Sequence, residues 1–187
     1  MSDKPNVNYF LRDIQTLRAQ ARESLEDGAV TSDYGKDRQA GIDLLQSVLA
    51  TEIVCVLRYT MNSISVVGIT SSSVAAEFQE HADDERRHMM MVAERIDQLG
   101  GAPNFDPQDL ASRSATEYGD GGSLVEMVKQ NLIAERIAVE HYRDLIKYFA
   151  AHDPTTRIML EGILKDEEDH ATDMHDLLVA HEGQPML

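Results

Sequence analysis

Four long amphipathic stretches each carry one glutamate at the middle of an otherwise apolar stripe, and no other feature constrains the fold as strongly. The first stripe runs Leu45, Val48/Leu49, Glu52, Cys55/Val56, Tyr59, and the second Phe78, Ala82, Glu85, His88/Met89, Val92, Ile96, Leu99. The third runs Leu124, Met127/Val128, Asn131, Glu135, Ala138, Tyr142, Leu145, Phe149, and the fourth Leu160, Ile163/Leu164, Glu167, His170/Ala171, Met174, Leu177/Leu178. Recurrence at three and four is the helical period, and no segment alternates as a strand would. One glutamate on a stripe can be a misplaced face. Four together, buried, would repel one another unless cations neutralised them.

Punctuation between the stretches gives the topology. A leading amphipathic segment, about Asn8–Glu26, ends at Asp27-Gly28, and the next helix spans about Asp37–Val67. Gly68 and serines 71–73 interrupt before a helix at about Ser73–Leu99, which Gly100-Gly101-Ala102-Pro103 stops. Residues 101–122 read as a long structureless connection, with Asp109–Asp120 a solvated loop. Ser123 and Glu126 then form a capping box for a helix to about Ala151, and Asp153-Pro154 opens the last, to about His181. Short, long and short connections predict an all-α four-helix bundle of two antiparallel pairs joined by a crossover, plus an extra N-terminal helix. The expected division is an N-terminal extension, 1–36, and a bundle, 37–187.

The balance of 17 basic against 33 acidic residues, a net charge of −16, argues against nucleic-acid and anionic-membrane partners. Residues 1–40 hold six Lys/Arg against seven Asp/Glu, so no basic arm compensates. The lone Cys55 rules out an intrachain disulfide and a thiolate metal cluster. No apolar run is expected to reach membrane-spanning length, and MSDKPNVNYF lacks a leader pattern; the expected location is the cytoplasm.

The polar residues repeat across the two halves. Glu52 precedes Glu85 by 33 positions and Glu135 precedes Glu167 by 32, so each half supplies a lone glutamate and then Glu-x-x-His. The i, i+3 spacing puts Glu85 with His88, and Glu167 with His170, on one helix face. Four carboxylates and two imidazoles suit a pair of divalent first-row ions such as iron or manganese, whereas zinc would recruit more His or Cys. Asp84 and Asp166 precede the motif glutamates and are candidates to orient the opposite helix's histidine, since a ligating imidazole usually donates its free N–H to a carboxylate. Glu168 and Asp169 fall on the solvated face.

Glu52, Glu85-Arg86-Arg87-His88, Glu135 and Glu167-Glu168-Asp169-His170 together resemble the ferroxidase centre of the bacterioferritin branch of the ferritin-like superfamily, over about residues 40–180. The resemblance implies a ferritin-like fold and a metal set of Glu52, Glu85, His88, Glu135, Glu167 and His170. Glu52 and Glu135 would each serve one ion, and Glu85 and Glu167 would bridge. Tyr59 matches the tyrosine beside the iron site in that branch, able to hydrogen-bond a ligand carboxylate or donate an electron.

The resemblance has limits. Arg86 stands where bacterioferritins place the methionine that binds haem, and Met89-Met90-Met91 read as core and interface filler, so no haem is expected. Only 17 residues follow His170, too few for a fifth helix, which favours a 12-subunit mini-ferritin-like shell or a smaller homo-oligomer. Cys55, one turn from Glu52, reads as a buried thiol with redox activity near the metals as the alternative. His81, His141 and His175 read as surface histidines, an entry-path iron site being the other option.

The implied activity is oxidation of Fe(II) by O2 or H2O2 at two irons per subunit, for iron storage or detoxification. The rival on the same bundle is a di-iron or dimanganese peroxidase or catalase without mineral storage. A structural protein with a vestigial site is disfavoured by the intact donor set.

Overall fold

A computed structural model describes residues 10–31, 34, 37–66 and 71–182. Its long helices are α2 (Arg38–Ser65), α3 (Ser71–Gln98), α5 (Leu124–His152) and α6 (Pro154–Glu182); α1 (Ile14–Gln20) precedes them and α4 (Leu110–Arg113) lies in the crossover. Helix α2 packs chiefly on α3 and α5 on α6, and the two hairpins then meet through α2–α5 and α3–α6. Among the described residues there is no strand.

Three of the bundle helices start or stop at identifiable local chemistry. At the end of α3, Gly100 N–H reaches Asp97 O at 2.8 Å and Gly101 N–H reaches Ile96 O at 2.9 Å, with Gly100 at φ +81°. This is the paired closure that a left-handed glycine permits. Ser123 Oγ accepts from Glu126 N at 3.3 Å while Glu126 Oε2 accepts from Ser123 N at 2.7 Å, so the capping box forms at α5. Asp153 caps α6, accepting from Thr155 N and Thr156 N at 3.1 and 3.0 Å, and its other oxygen takes Arg95 Nη2 at 2.6 Å. Helix α3 begins at Ser71, so serines 71–73 lie within its first turn; the break placed at Gly68 falls outside the described residues.

Three expectations need correction. The leading segment is not one helix over 8–26. Within the described part only Ile14–Gln20 is α-helical, Leu25–Asp27 is a 3-10 turn, and Leu11, Leu17 and Leu25 are exposed. Among the described residues none of α1 is buried, and so short a helix is marginal without packing. The N-terminal region instead joins the bundle at Val30 and Tyr34, which pack on the core, and Arg95 stacks over the Tyr34 ring at 5.8 Å.

Nor is 101–122 a structureless, solvated loop. It contains α4 and is fastened to α2 step by step. Gln46 exchanges hydrogen bonds with Ala102 O and Asn104 N, Thr51 Oγ1 accepts from Ala115 N at 2.9 Å, and Arg58 Nη1 donates to Glu117 O at 2.9 Å. Thr116, within this segment, is buried with its Oγ1 3.7 Å from Cys55 Sγ on α2. Finally, α2 is long and apolar enough to span a membrane by length and composition, its 18-residue window averaging a hydropathy of 1.7. Here its apolar surface faces α3, α5 and the crossover, so consecutive residues from Val48 to Glu52 are all buried.

The core is split. One apolar cluster, built around Leu45, Leu49, Ile96, Tyr142, Phe149 and Ile163, fills one end of the bundle. A second, around Tyr59, Phe78, Val128 and Met174, fills the other. The polar residues of the four stripes occupy the layer between them.

Candidate metal centre

Because α2, α3, α5 and α6 face one another with their glutamates at matching heights, Glu52, Glu85, Glu135 and Glu167 converge in that layer, each no more than 1% exposed. His88 and His170, one turn along α3 and α6, close it on two sides. His88 Nδ1 lies 3.6 Å from Glu52 Oε2, 3.7 Å from Glu85 Oε2 and 3.2 Å from Glu167 Oε1. His170 Nδ1 lies 3.6 Å from Glu85 Oε1 and 3.7 Å from Glu167 Oε2. Each middle glutamate thus offers one oxygen toward His88 and the other toward His170.

The donors therefore sort into two sets that share Glu85 and Glu167: Glu52 with His88, and Glu135 with His170. Within a set the atoms lie inside 4.8 Å of one another, the spread expected when ligands about 2.1 Å from a common ion surround it. The inward atoms Glu52 Oε2, both oxygens of Glu85 and Glu167, Glu135 Oε2, and the Nδ1 atoms of His88 and His170 have no hydrogen-bond partner. Buried polar atoms are rarely left unpaired. Eight of them aimed at two points fit a pair of cations.

The outward atoms are all engaged, and each contact crosses between helices. Tyr59 of α2 donates to Glu135 Oε1 on α5, and Tyr142 of α5 donates to Glu52 Oε1 on α2. His88 Nε2 sits 3.2 Å from Asp166 Oδ2 and His170 Nε2 sits 3.5 Å from Asp84 Oδ2. Arg87 Nη2 ties the two aspartates together, at 2.8 Å from Asp84 Oδ1 and 2.9 Å from Asp166 Oδ2. Such contacts fix the ring orientation of a ligating histidine.

Electrostatics without cations show the strain of the arrangement. Burial, and then the Glu85 charge, push the Glu52 carboxyl well up; burial, then Glu167 and Glu85, do the same to Glu135. Burial opposes a charged His170, but Glu167 and Glu85 push it up to about 11. His88 is likewise raised, by Glu167, Glu52 and Glu85 against burial. Glu85 moves the other way, its burial outweighed by His170 and His88. Burial and the mutual repulsion of the carboxylates are what cations in this layer would relieve.

Two residues that sequence reasoning did not single out belong to this layer. Tyr142 follows Glu135 by seven positions as Tyr59 follows Glu52, and that internal repeat was the available signal. Arg58, 1% exposed, donates through Nε to Asn131 Oδ1 at 2.7 Å and places Nη2 3.5 Å from Cys55 Sγ and 4.0 Å from Glu135 Oε1. Only its position inside an apolar helix hinted at a buried cation.

The remaining candidates are placed as follows. Cys55 is buried, 3.7 Å from Thr116 Oγ1, and its thiol is pushed well up, chiefly by burial and against Arg58. Arg86 is exposed and pairs with Asp83 at 2.6 Å, while Met89 and Met91 pack on the core. His175 is exposed, and His141, half-buried, stands 3.4 Å from Ser47 Oγ. His81 corrects the expectation of a surface histidine: it is 2% exposed, stacked on His170 with ring centroids 4.0 Å apart.

Known proteins resemble this chain in sequence and in fold. The family model of the ferritin-like domain matches residues 42–182. The DNA protection during starvation protein of Pyrococcus furiosus is 27% identical over 154 residues, 81% of this chain and 82% of its own. A bacterioferritin of Mycobacterium tuberculosis is 27% identical over 128 residues, 68% of this chain and 76% of its own. Among solved structures, a dodecameric thioferritin, the bacterioferritin-related protein of Bacteroides fragilis, is similar at a TM-score of 0.74 and 31% identity, covering 77% of this chain and 87% of that one. A ferritin-like di-iron carboxylate protein from Bacillus anthracis matches at 0.68 and 25%, covering 77% and 99%.

Proposed function

This chain belongs to the ferritin-like domain family, and on that premise we propose that it is a ferroxidase, binding two Fe(II) per subunit and oxidising them with O2 or H2O2 for iron storage or detoxification. The observation that carries the reading is the set of eight unpaired, buried donor atoms pointing at two positions. Two iron ions held there supply one electron each to the oxidant.

The residues of the chain do the rest. Glu85 and Glu167 share their oxygens between the two positions, while Glu52 with His88 and Glu135 with His170 complete one position each. Hard anionic oxygens favour Fe(III) over Fe(II), so the donor set would make loss of an electron more favourable. Tyr59 and Tyr142 hold the far oxygens of Glu135 and Glu52, so those carboxylates present one oxygen inward. Asp166 and Asp84 leave each Nδ1 free to face the centre. The two apolar clusters keep bulk water from the layer.

A homo-oligomeric shell is the expected setting, as in the dodecameric relative, and the net charge of −16 favours cations over nucleic acid as cargo. Anaerobic Fe(II) titration should saturate at two tightly bound ions per subunit, with rapid oxidation when O2 or H2O2 is admitted. Binding well below two, or unchanged oxidation rates in Glu85→Ala and Glu167→Ala, would sink the proposal. Light scattering during iron loading separates uses: a large shell holding many irons means storage, a dimer holding two means detoxification.

A further inference from the structure

Beside the pair lies a second grouping of donors that it does not use. His81, one turn before Glu85 on α3, is 2% exposed and stacks flat on His170. Its Nδ1 has no hydrogen-bond partner. Its Nε2 faces Glu77 Oε1 and Asp173 Oδ2 at 3.6 Å each, beyond hydrogen-bond length, and all three donors lie within 4.8 Å of one another. At 3.6 Å, an ion about 2.1 Å from His81 Nε2 and from either carboxylate oxygen would see that pair about 120° apart, an ordinary angle for a first-row cation.

The surroundings point the same way. These three residues line an open cleft of about 210 Å³ between α3 and α6, shared with Glu80, Asp84, Asp166, Asp169, His170 and Arg87, whose guanidinium is itself paired with Asp84 and Asp166. Glu77 and Asp173 are partly exposed, at 36% and 48%, so the site opens to solvent on its carboxylate side and is closed by the imidazole behind. Burial, together with Asp173 and Glu80, holds the Glu77 carboxyl above its ordinary range, the repulsion that a cation would relieve. A buried histidine whose Nδ1 is unpaired and whose Nε2 reaches only two carboxylates at 3.6 Å is otherwise a costly choice for this position, where an apolar ring would pack as well.

We propose that Glu77, His81 and Asp173 form a third cation site, taking one divalent first-row ion at the cleft, one ring-stack away from the pair. It binds through one nitrogen and two carboxylate oxygens and keeps positions open to water. It therefore holds its ion more weakly than the pair, and a cation arriving through the cleft meets it before His170.

The test is an anaerobic Co(II) titration of the metal-free full-length chain, followed by equilibrium dialysis and by the visible absorption of bound Co(II). Wild type should take up three ions per subunit, two tightly and one more weakly. A Glu77→Gln/Asp173→Asn double variant, altered only at the exposed carboxylates, should take up two, with the tight phase unchanged. Retention of the wild-type stoichiometry in that variant, or saturation of wild type at two, overturns the third site. If wild type binds a single ion that the double variant loses, the third site stands and the paired centre falls. Anomalous diffraction from Co(II)-soaked crystals should show a peak among these three side chains; no peak there at saturating Co(II) counts against the site.

Discussion

Asp166 on α6 accepts at 3.2 Å from Nε2 of His88 on α3, and the mirror contact joins Asp84 on α3 to His170 on α6. Each histidine is therefore oriented by the helix that carries the other one. Asp166→Asn should keep the fold, because the side chain is partly exposed, yet free the His88 ring to rotate. The expected loss is about 10- to 100-fold in Fe(II) affinity or oxidation rate, as for other carboxylates behind ligating histidines. Calorimetric Fe(II) or Co(II) binding, compared with Asp169→Asn on the solvated face, checks it; equal losses in both variants would refute the positioning role.

The tyrosines make a second pair. Tyr59→Phe and Tyr142→Phe each remove one hydroxyl from a far carboxylate oxygen while preserving the packed ring. Because Tyr142 holds Glu52 and Tyr59 holds Glu135, each variant should weaken a different one of the two ions, again by about 10- to 100-fold. Stepwise anaerobic titration would show the two binding phases separating in opposite order; identical profiles for the two variants would contradict it.

Arg58 is a buried guanidinium 4.0 Å from Glu135 Oε1, and removing one partner of a buried pair leaves the other charge stranded. Arg58→Ala should cost about 3–5 kcal/mol in the metal-free protein. Urea denaturation measures it, and saturation with metal should recover part of the loss, since bound cations replace the missing charge. A variant as stable as wild type would mean that Glu135 is neutral enough without it.

Metal-free stability should fall as pH rises. Folding raises His170 from its ordinary 6.5 to about 11 and also raises His88, Glu52 and Glu135, so above pH 6.5 the native state holds more protons than the unfolded chain. The histidine contribution is complete below pH 6.5 and is lost as pH climbs toward 11, while that of Glu52 and Glu135 is complete only below 4.5 and is lost as pH rises through their raised values. Glu85, lowered on folding, titrates far below this window and does not offset it. Cations displace those protons, so binding should release protons and tighten with pH. Thermal unfolding at several pH values with and without Zn(II), and calorimetry in buffers of different ionisation enthalpy, measure both; a melting point that rises with pH in the metal-free protein would refute the linkage.

Asp153 gives the opposite sign. Burial opposes its charge, but Thr156 and Arg95 outweigh that and hold its carboxyl below the ordinary 3.8. Its contribution is present above pH 3.8 and lost as pH falls through the lowered value. Asp153→Ala should cost at least about 1 kcal/mol near neutrality from the lost cap alone, and less in strong acid. Denaturation across pH 3–7 would show the gap closing; a constant gap would mean that the charge plays no part.

The positions of the six candidate ligands were legible because a helical period converts sequence spacing into a shared face, and because the two halves repeat. The same repeat held the signal for Tyr142, which passed for a core residue in its stripe. Arg58, Arg87 and His81 act through partners on other helices or on the crossover, and no local pattern announces such contacts. The docking of 101–122 depends on Gln46, Thr51 and Arg58, polar residues that look unremarkable on α2 until the chain folds back over them. The overlong N-terminal helix was the converse error: its stripe is real, but Leu11, Leu17 and Leu25 are exposed.

The sharing of Glu85 and Glu167 carries one more consequence. The hairpin of α2 and α3 supplies three residues of one ligand set and needs Glu167 for the fourth, while that of α5 and α6 supplies three of the other and needs Glu85. Neither hairpin can saturate an ion unaided. A loaded centre is thus a rivet driven through both halves of the chain, and the crossover, once the rivet is in, is no longer what holds them together.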